Sequence, residues 1–310
     1  MAIREIPYSS HEEWLELRKG FIGGSDAGAV MGMNPYSSPF AVWAEKTGKV
    51  PGFEGNLTTK VGSYLEDLVA TLFTEETGKK VRRKNRMLVN DEFPWACADV
   101  DRMVVGEKAL LEIKTTNSFP AMRKIRGGEY PEQWYCQMTH YLAVTGLEKA
   151  YLAVLVNCRD LRIFELERDE DEIAALMDAE RAFWEKVTQD IPPEADGSEA
   201  TTEALGKVYP ESSEDTVLLI NGDLLEQRAR LLTAKKALEA DIDDINNKIK
   251  SEMGTAERGL ALGYTVTWKS QKKSTFDRKA LEKDYPGIDL DKYYKTSTTR
   301  VFRVTEKKED

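Results

Sequence analysis

Residues 109–116 read ALLEIKTT, a short apolar run of strand-forming residues into which the chain sets a glutamate and a lysine. Side chains alternate across a strand, so Glu112 and Lys114 share one face while Leu111, Ile113 and Thr115 share the other. Two opposite charges inside so apolar a run are unfavourable unless they serve each other or a ligand. Asp101 stands eleven residues earlier, at the end of the strand-like run 95–105. A hairpin turn through Gly106-Glu107-Lys108 brings it alongside Glu112. Whatever else the chain does, it must build a sheet that tolerates this charged face.

The residue types fit phosphodiester hydrolysis. Two carboxylates hold Mg²⁺, a hard cation that takes oxygen ligands and keeps several waters, and the Ile113 backbone carbonyl on the same strand is a further ligand. A lysine beside them orients the nucleophile and neutralises charge on the phosphorane. An exposed cross-strand ion pair leaves the same E-x-K pattern, and Asp99, two residues from Asp101, faces the same way. Both readings stay open at this point.

Periodicity and stop signals divide the chain. Residues 1–193 read as one α/β domain. It has helices over Ser25–Val30, Ser38–Thr47, Thr59–Thr77 (Val61, Leu65, Leu68, Val69, Leu72 and Phe73 on one face), Pro131–Val144 and Asp169–Asp190, closed by Gly48, Gly78, Gly146 and Pro192-Pro193. Strand-like runs cover 81–89, 95–105, 109–116, 151–157 and 161–167. Residues 194–216, rich in Glu, Ser, Thr and Ala, read as a linker. In the accessory domain 217–310, Leu224, Leu231, Leu238 and Ile245 recur every seven residues, with Ile242 and Ile249 in an adjacent seam. That pattern predicts a coiled-coil-grade helix from Gly222 to Met253. GYTVTWKS (263–270) and TTRVFRVT (298–305) alternate like the two strands of a β-hairpin, with a short helix and the DYPGIDLDKYY segment between them.

The net charge of −10 argues against a protein that coats DNA through a broad basic face. It leaves room for a nuclease, which needs a carboxylate cluster and basic residues only along the substrate track, Arg82, Arg83, Lys84 and Arg86 being one such run. Cys97, Cys136 and Cys158 are scattered, odd in number and without metal-site spacing. They fit small buried residues in a reducing compartment. With no apolar run of membrane length and no signal-peptide core, a cytoplasmic protein without membrane contact is expected. The glycines of GFIGGSDAG suggest a phosphate-binding loop, yet the chain has no G-x-x-x-x-G-K-[ST]. His140 reads as a packing or hydrogen-bonding residue.

Four segments, taken in order, resemble the lambda-exonuclease-like (YqaJ-type) viral recombinase family, within the PD-(D/E)xK, restriction-endonuclease-like nucleases. They are RKGFIGGSDAGAVMGMNPYSSPFAVWAEKTG (18–48), VGSYLEDLVATLFTEETG (61–78), ADVDRMV with LLEIKTT, and WYCQMTHYLAVTG (134–146). The likeness spans about residues 15–190. It implies a restriction-endonuclease-like α/β core, a mixed central sheet flanked by helices, followed here by a small C-terminal α+β domain. It implies a Mg²⁺-dependent 5′-to-3′ exonuclease acting on double-stranded DNA ends, with Mn²⁺ able to substitute, and products with 3′ overhangs for a single-strand-annealing recombinase. A ring-shaped homo-oligomer, a trimer, is implied too.

The family's roles fall on Asp101, Glu112 and Lys114, on Glu66 as an additional metal-supporting carboxylate, and on Gln137 near the scissile phosphate. Arg18 and Ser25 fall where the family binds the 5′-phosphate. Ser25, after Gly23-Gly24, is expected to cap a helix and leave free N–H groups for an anion. Two departures are visible: Val100 and Arg102 flank Asp101 where relatives usually carry proline before and often glycine after. An endonuclease or flap nuclease with the same site, and a non-catalytic recombination scaffold, are the rival readings.

Overall fold

A computed structural model of the chain describes residues 2–52, 55–214, 216–285, 289–296 and 299–305. It comprises β1 (Ile3–Ile6), α1 (His11–Lys19), β2 (Ile22–Gly23), α2 (Gly24–Val30), α3 (Pro39–Lys46), α4 (Leu57–Thr77), β3 (Val81–Arg82), β4 (Met87–Asn90), β5 (Ala96–Ala98) and β6 (Arg102–Val104). There follow β7 (Ala109–Thr116), α5 (Phe119–Arg126), α6 (Glu132–Thr145), β8 (Lys149–Val156), β9 (Asp160–Glu167), α7 (Glu170–Thr188) and α8 (Glu199–Val208). The C-terminal part adds α9 (Gly222–Met253), β10 (Arg258–Ala261), β11 (Tyr264–Thr267), α10 (Arg278–Asp284) and a 3₁₀ turn at Asp291–Tyr293.

The charged strand is central. β7 lies third in a five-stranded sheet of order β3-β6-β7-β8-β9, antiparallel to β6 and parallel to β8. Its alternation sorts the core. Leu110 packs with Leu152, Val154, Met138 and Leu142 under α6, whereas Leu111 and Ile113 pack with Tyr151, Ala153, Val69 and Phe73 under α4. Phe73 and Leu111 are wholly buried, each side chain contributing roughly 1.5–3 kcal/mol. A second sheet, β1-β4-β5-β2, adds a parallel β2–β5 pair. This is the mixed α/β architecture expected of the core.

Local differences from the sequence reading have physical causes. On α4, Val69, Ala70 and Phe73 are buried while Val61 and Leu68 are exposed, because the face packed on the sheet runs through Leu65, Val69, Leu72 and Phe73 rather than through every apolar position. The runs 81–89 and 95–105 each break into two strands belonging to different sheets. The segment 194–216 is not a plain linker. α8 lies within it, with Ala204 packed beside Phe40 and Trp43 and the Thr201 hydroxyl donating to Ser38 Oγ at 2.7 Å. Small side chains let α8 sit close on α3 without a conspicuous apolar stripe. Cys97 and Cys136 are buried as expected, but Cys158 is exposed, at the β8–β9 turn, where its φ is 54°.

The chain divides into two compact units, Met1–Glu211 with Phe302–Asp310, and Ser212–Val301. In the second, α9 has the expected bounds and buries no residue. The hairpin differs: β11 pairs with β10 through Ala261↔Tyr264, since Gly263, at φ 79°, makes the tight turn beside it. The expected partner strand 298–305 begins outside the described residues, and 299–305 form no strand. Of DYPGIDLDKYY, residues 286–288 lie outside the described ones. Among the described residues, no helix is long and apolar enough to cross a membrane.

Candidate functional site

The β6–β7 hairpin places Arg102 opposite Leu111, so Asp101, one residue before β6, stands beside the Glu112 stretch. β6 has ended there, leaving the Ile113 N–H without a ladder partner on that side, and Asp101 Oδ2 accepts it at 2.7 Å. Glu112 is 2% exposed. Its Oε1 accepts from Lys114 Nζ at 2.7 Å and from Gln137 Nε2 at 2.7 Å, and Lys114 Nζ donates to Gln137 Oε1 at 2.8 Å. Gln137 reaches the cluster from α6 and also donates to the Tyr141 hydroxyl at 3.1 Å. Four residues, from β7, α6 and the turn before β6, thus gather in one place.

The charges in this cluster do not balance. Glu112 Oε2 is buried without a hydrogen-bond partner. Burial, and then the neighbouring charge of Glu112, push the Asp101 carboxyl well above the usual carboxylate range; burial also raises Glu112. Burial opposes the Lys114 ammonium, but Glu112 and Asp101 outweigh it and hold it more firmly protonated than usual. One buried and one half-buried carboxylate against one ammonium leave a negative excess that a divalent cation fits chemically. Among the described residues no three His, Cys, Asp or Glu side chains gather as a metal cluster; two carboxylates plus a strand carbonyl suit a cation that retains waters.

Glu66 explains the missing third carboxylate. It sits on α4, across the sheet from Gln137, and forms an ion pair with Arg102, which also bonds Asp67 at 2.8 Å. Arg102 is buried. Asp99 is separated from Asp101 by direction: Trp14 Nε1 donates to its Oδ2 at 2.7 Å and the Tyr8 hydroxyl to its Oδ1 at 3.4 Å. Between β5 and β6 the chain leaves one sheet for the other, so the two aspartates do not share a strand face.

Arg18 and Ser25 do meet, the guanidinium donating to Ser25 Oγ. Ser25 is not the cap. α2 begins after Gly23, and Asp26 Oδ2 accepts the Gly23 N–H at 3.0 Å. Asp26 also pairs with Arg18 at 2.7 Å and Lys46 at 2.8 Å; these cations outweigh burial and hold its carboxyl far below the usual range. Packing explains the glycines nearby. A Cβ on Gly24 would lie 2.4 Å from the Tyr141 ring, and one on Gly28 2.7 Å from Gln133 Cβ, so both let α2 rest on α6, the helix that carries Gln137.

Sequence reasoning gave His140 only a packing or hydrogen-bonding role and did not find its partner Glu180. His140 Nδ1 lies 2.8 Å from Glu180 Oε1, and Nε2 2.8 Å from the Cys97 carbonyl. Burial opposes the imidazolium, but the Glu180 charge prevails and raises its pKa. This pair ties α6 to α7 and β5. In the basic run, Arg83 pairs with Asp67 and Lys84 with Glu5.

Comparison with known proteins matches residues 13–148 to the YqaJ-like viral recombinase domain. An uncharacterized protein YqaJ from Bacillus subtilis (strain 168) is 38% identical over 304 residues, 96% of this chain and 95% of that one. The crystal structure of an alkaline exonuclease, LHK-Exo, from Laribacter hongkongensis superposes with a TM-score of 0.51 at 23% identity, covering 58% of this chain and 94% of that one. Its complex with dAMP gives 0.52 at the same identity and coverage. At that identity the likeness speaks to the fold.

Proposed function

Since the chain belongs to the YqaJ-like viral recombinase family, we propose that it is a metal-dependent deoxyribonuclease, a 5′-to-3′ exonuclease of double-stranded DNA ends. The observation that carries this reading is the meeting of Asp101, Glu112, Lys114 and Gln137 around an unpartnered Glu112 oxygen. Asp101, Glu112 and the Ile113 carbonyl would hold Mg²⁺, or Mn²⁺ in its place. The cation would supply Lewis-acid stabilisation of phosphate charge and a more acidic water.

The chain's own residues do the rest. Lys114, kept cationic by Glu112, is fixed by Gln137 so that its ammonium faces the anion rather than swinging into solvent; it orients the attacking water and offsets charge on the phosphorane. Glu66, held by Arg102, supports the site from one layer further out. Arg18, with Ser25, would receive the 5′-phosphate, and Lys46 adds a second cation on Asp26. A 3′ overhang passed to a single-strand-annealing partner, and a ring-shaped homo-oligomer around the duplex, belong to the same reading.

Digestion of linear duplex DNA with 5′-phosphates, beside a covalently closed circle and with or without Mg²⁺, tests it. Loss of the linear substrate alone, only with metal and not with Glu112→Ala, is the expected result. Cutting of the circle makes the protein an endonuclease or flap nuclease with the same site. Inertness toward both makes it a scaffold.

A further inference from the structure

We infer that Arg102 is a positioning residue that holds Glu66 off the metal and so keeps Mg²⁺ affinity low in the DNA-free protein; this rests on the metal-dependent reading above. Arg102 opens β6 opposite Leu111, and cross-strand partners share a face. It therefore points to the side on which Leu111 packs under α4. Its side chain is 4% exposed, so a charge removed from water must be met inside the protein. Three oxygens meet it. Nη2 donates to Asp67 Oδ1 at 2.8 Å, and Nη1 donates both to Glu66 Oε1 and, at 2.5 Å, to the carbonyl of Asp101.

The two carboxylates differ in where they stand. Asp67 is 70% exposed and also pairs with Arg83; tying β6 to α4 needs no more than that. Glu66 is on the metal side. Its charge pushes the Asp101 and Glu112 carboxyls up, so it lies within electrostatic reach of both. A free carboxylate there would be drawn to a divalent cation as a further oxygen ligand. Nη1 prevents this. Bonded at once to Glu66 and to the backbone of the aspartate that would hold the ion, it stands between them and offsets the glutamate's charge. With Arg102 in place, Asp101, Glu112 and Glu66 meet two cations, Arg102 and Lys114, leaving one negative charge in excess; without it the excess is two. Affinity for a hard divalent cation follows ligand charge and number. Removing Arg102 should therefore tighten metal binding, whereas loss of a mere strut would loosen it.

Calorimetric titration of Mg²⁺ into the full chain without DNA tests this. Arg102→Met should bind Mg²⁺ about tenfold tighter than the unaltered protein, the scale on which outer-shell partners act. Arg102→Lys, which keeps the charge, should stay close to the unaltered protein. Adding Glu66→Gln to Arg102→Met should cancel the gain, as expected of two groups that act through one contact. Should Arg102→Met fail to fold, Arg102→Gln replaces it with the same expectation, since its amide still donates to the Asp101 carbonyl. Equal or weaker Mg²⁺ binding by the folded neutral variant overturns the inference. So does a gain that Arg102→Lys shares or that survives Glu66→Gln. An unaltered protein that takes up no Mg²⁺ overturns the metal reading itself, and this inference with it.

Discussion

Glu112 and Glu180 are two versions of one arrangement. Each is a fully buried glutamate with a basic side chain on one oxygen and no partner on the other. They differ in what stands around the pair. Glu180 faces a single imidazole that is anchored to the Cys97 carbonyl, and both side chains are wholly enclosed. Glu112 faces an ammonium whose side chain is 24% exposed and has a second carboxylate, Asp101, for a neighbour. The enclosed pair is a strut. The pair with excess charge and an opening is the one proposed above to hold a metal ion. Burial of a carboxylate therefore says little until the charge count and the access to solvent are known.

That contrast can be broken by measurement. Glu112→Gln should lower DNA cleavage by about 10³-fold or more, roughly 4 kcal/mol of barrier, and leave the melting temperature equal or higher because a repulsive buried charge is gone; a stability loss with normal cleavage would reverse the two roles. Glu180→Ala should do the opposite, costing roughly 3–5 kcal/mol of stability by stranding a buried imidazolium, with cleavage per folded molecule unchanged.

Mg²⁺ should next separate the sites. At about a hundred times its Kd, binding to the folded state alone adds roughly 2.7 kcal/mol, seen as a raised melting temperature that Glu112→Gln abolishes and Glu180→Ala retains. The same scan has a pH signature. Asp101 is raised, so its contribution to metal-free stability is present below the ordinary carboxylate pKa and lost as pH rises through the shifted value. Added Mg²⁺ should remove that loss. Smallest of all, Glu66→Gln should lower activity by about tenfold, the scale of an outer-shell partner; an effect equal to that of Glu112→Gln would place Glu66 on the metal itself.

Much of this was legible in the residues. β7 and α9 have the expected bounds because one is a continuous apolar run between turn signals and the other a sustained heptad. The Asp101–Glu112 neighbourhood followed from hairpin geometry, whereas Gln137 and Glu66 were reachable only through family likeness, being held by tertiary packing of α6 and α4. β1 was missed because IREI is exposed along most of its length and shows no alternation. α8 was missed because the residues it buries are a threonine and an alanine. Nothing local marks Glu180 as the partner of a histidine forty residues away. Ser25 looked like a cap, but the aspartate at the third helical position took the backbone N–H.

The parallel pairing of β7 with β8 carries a consequence for how the chain comes to life. Parallel neighbours need a long crossover, and here α6 lies within it, delivering Gln137 to a strand laid down earlier in the chain. The cluster therefore spans residues 101–137 and closes only when β8 docks beside β7. Long-range pairings of this kind form late in folding. A chain still emerging from the ribosome would carry the hairpin of Asp101, Glu112 and Lys114 without the helix that brings Gln137 to it, so the DNA-cutting capacity proposed above would arrive with the completed sheet rather than with the hairpin alone.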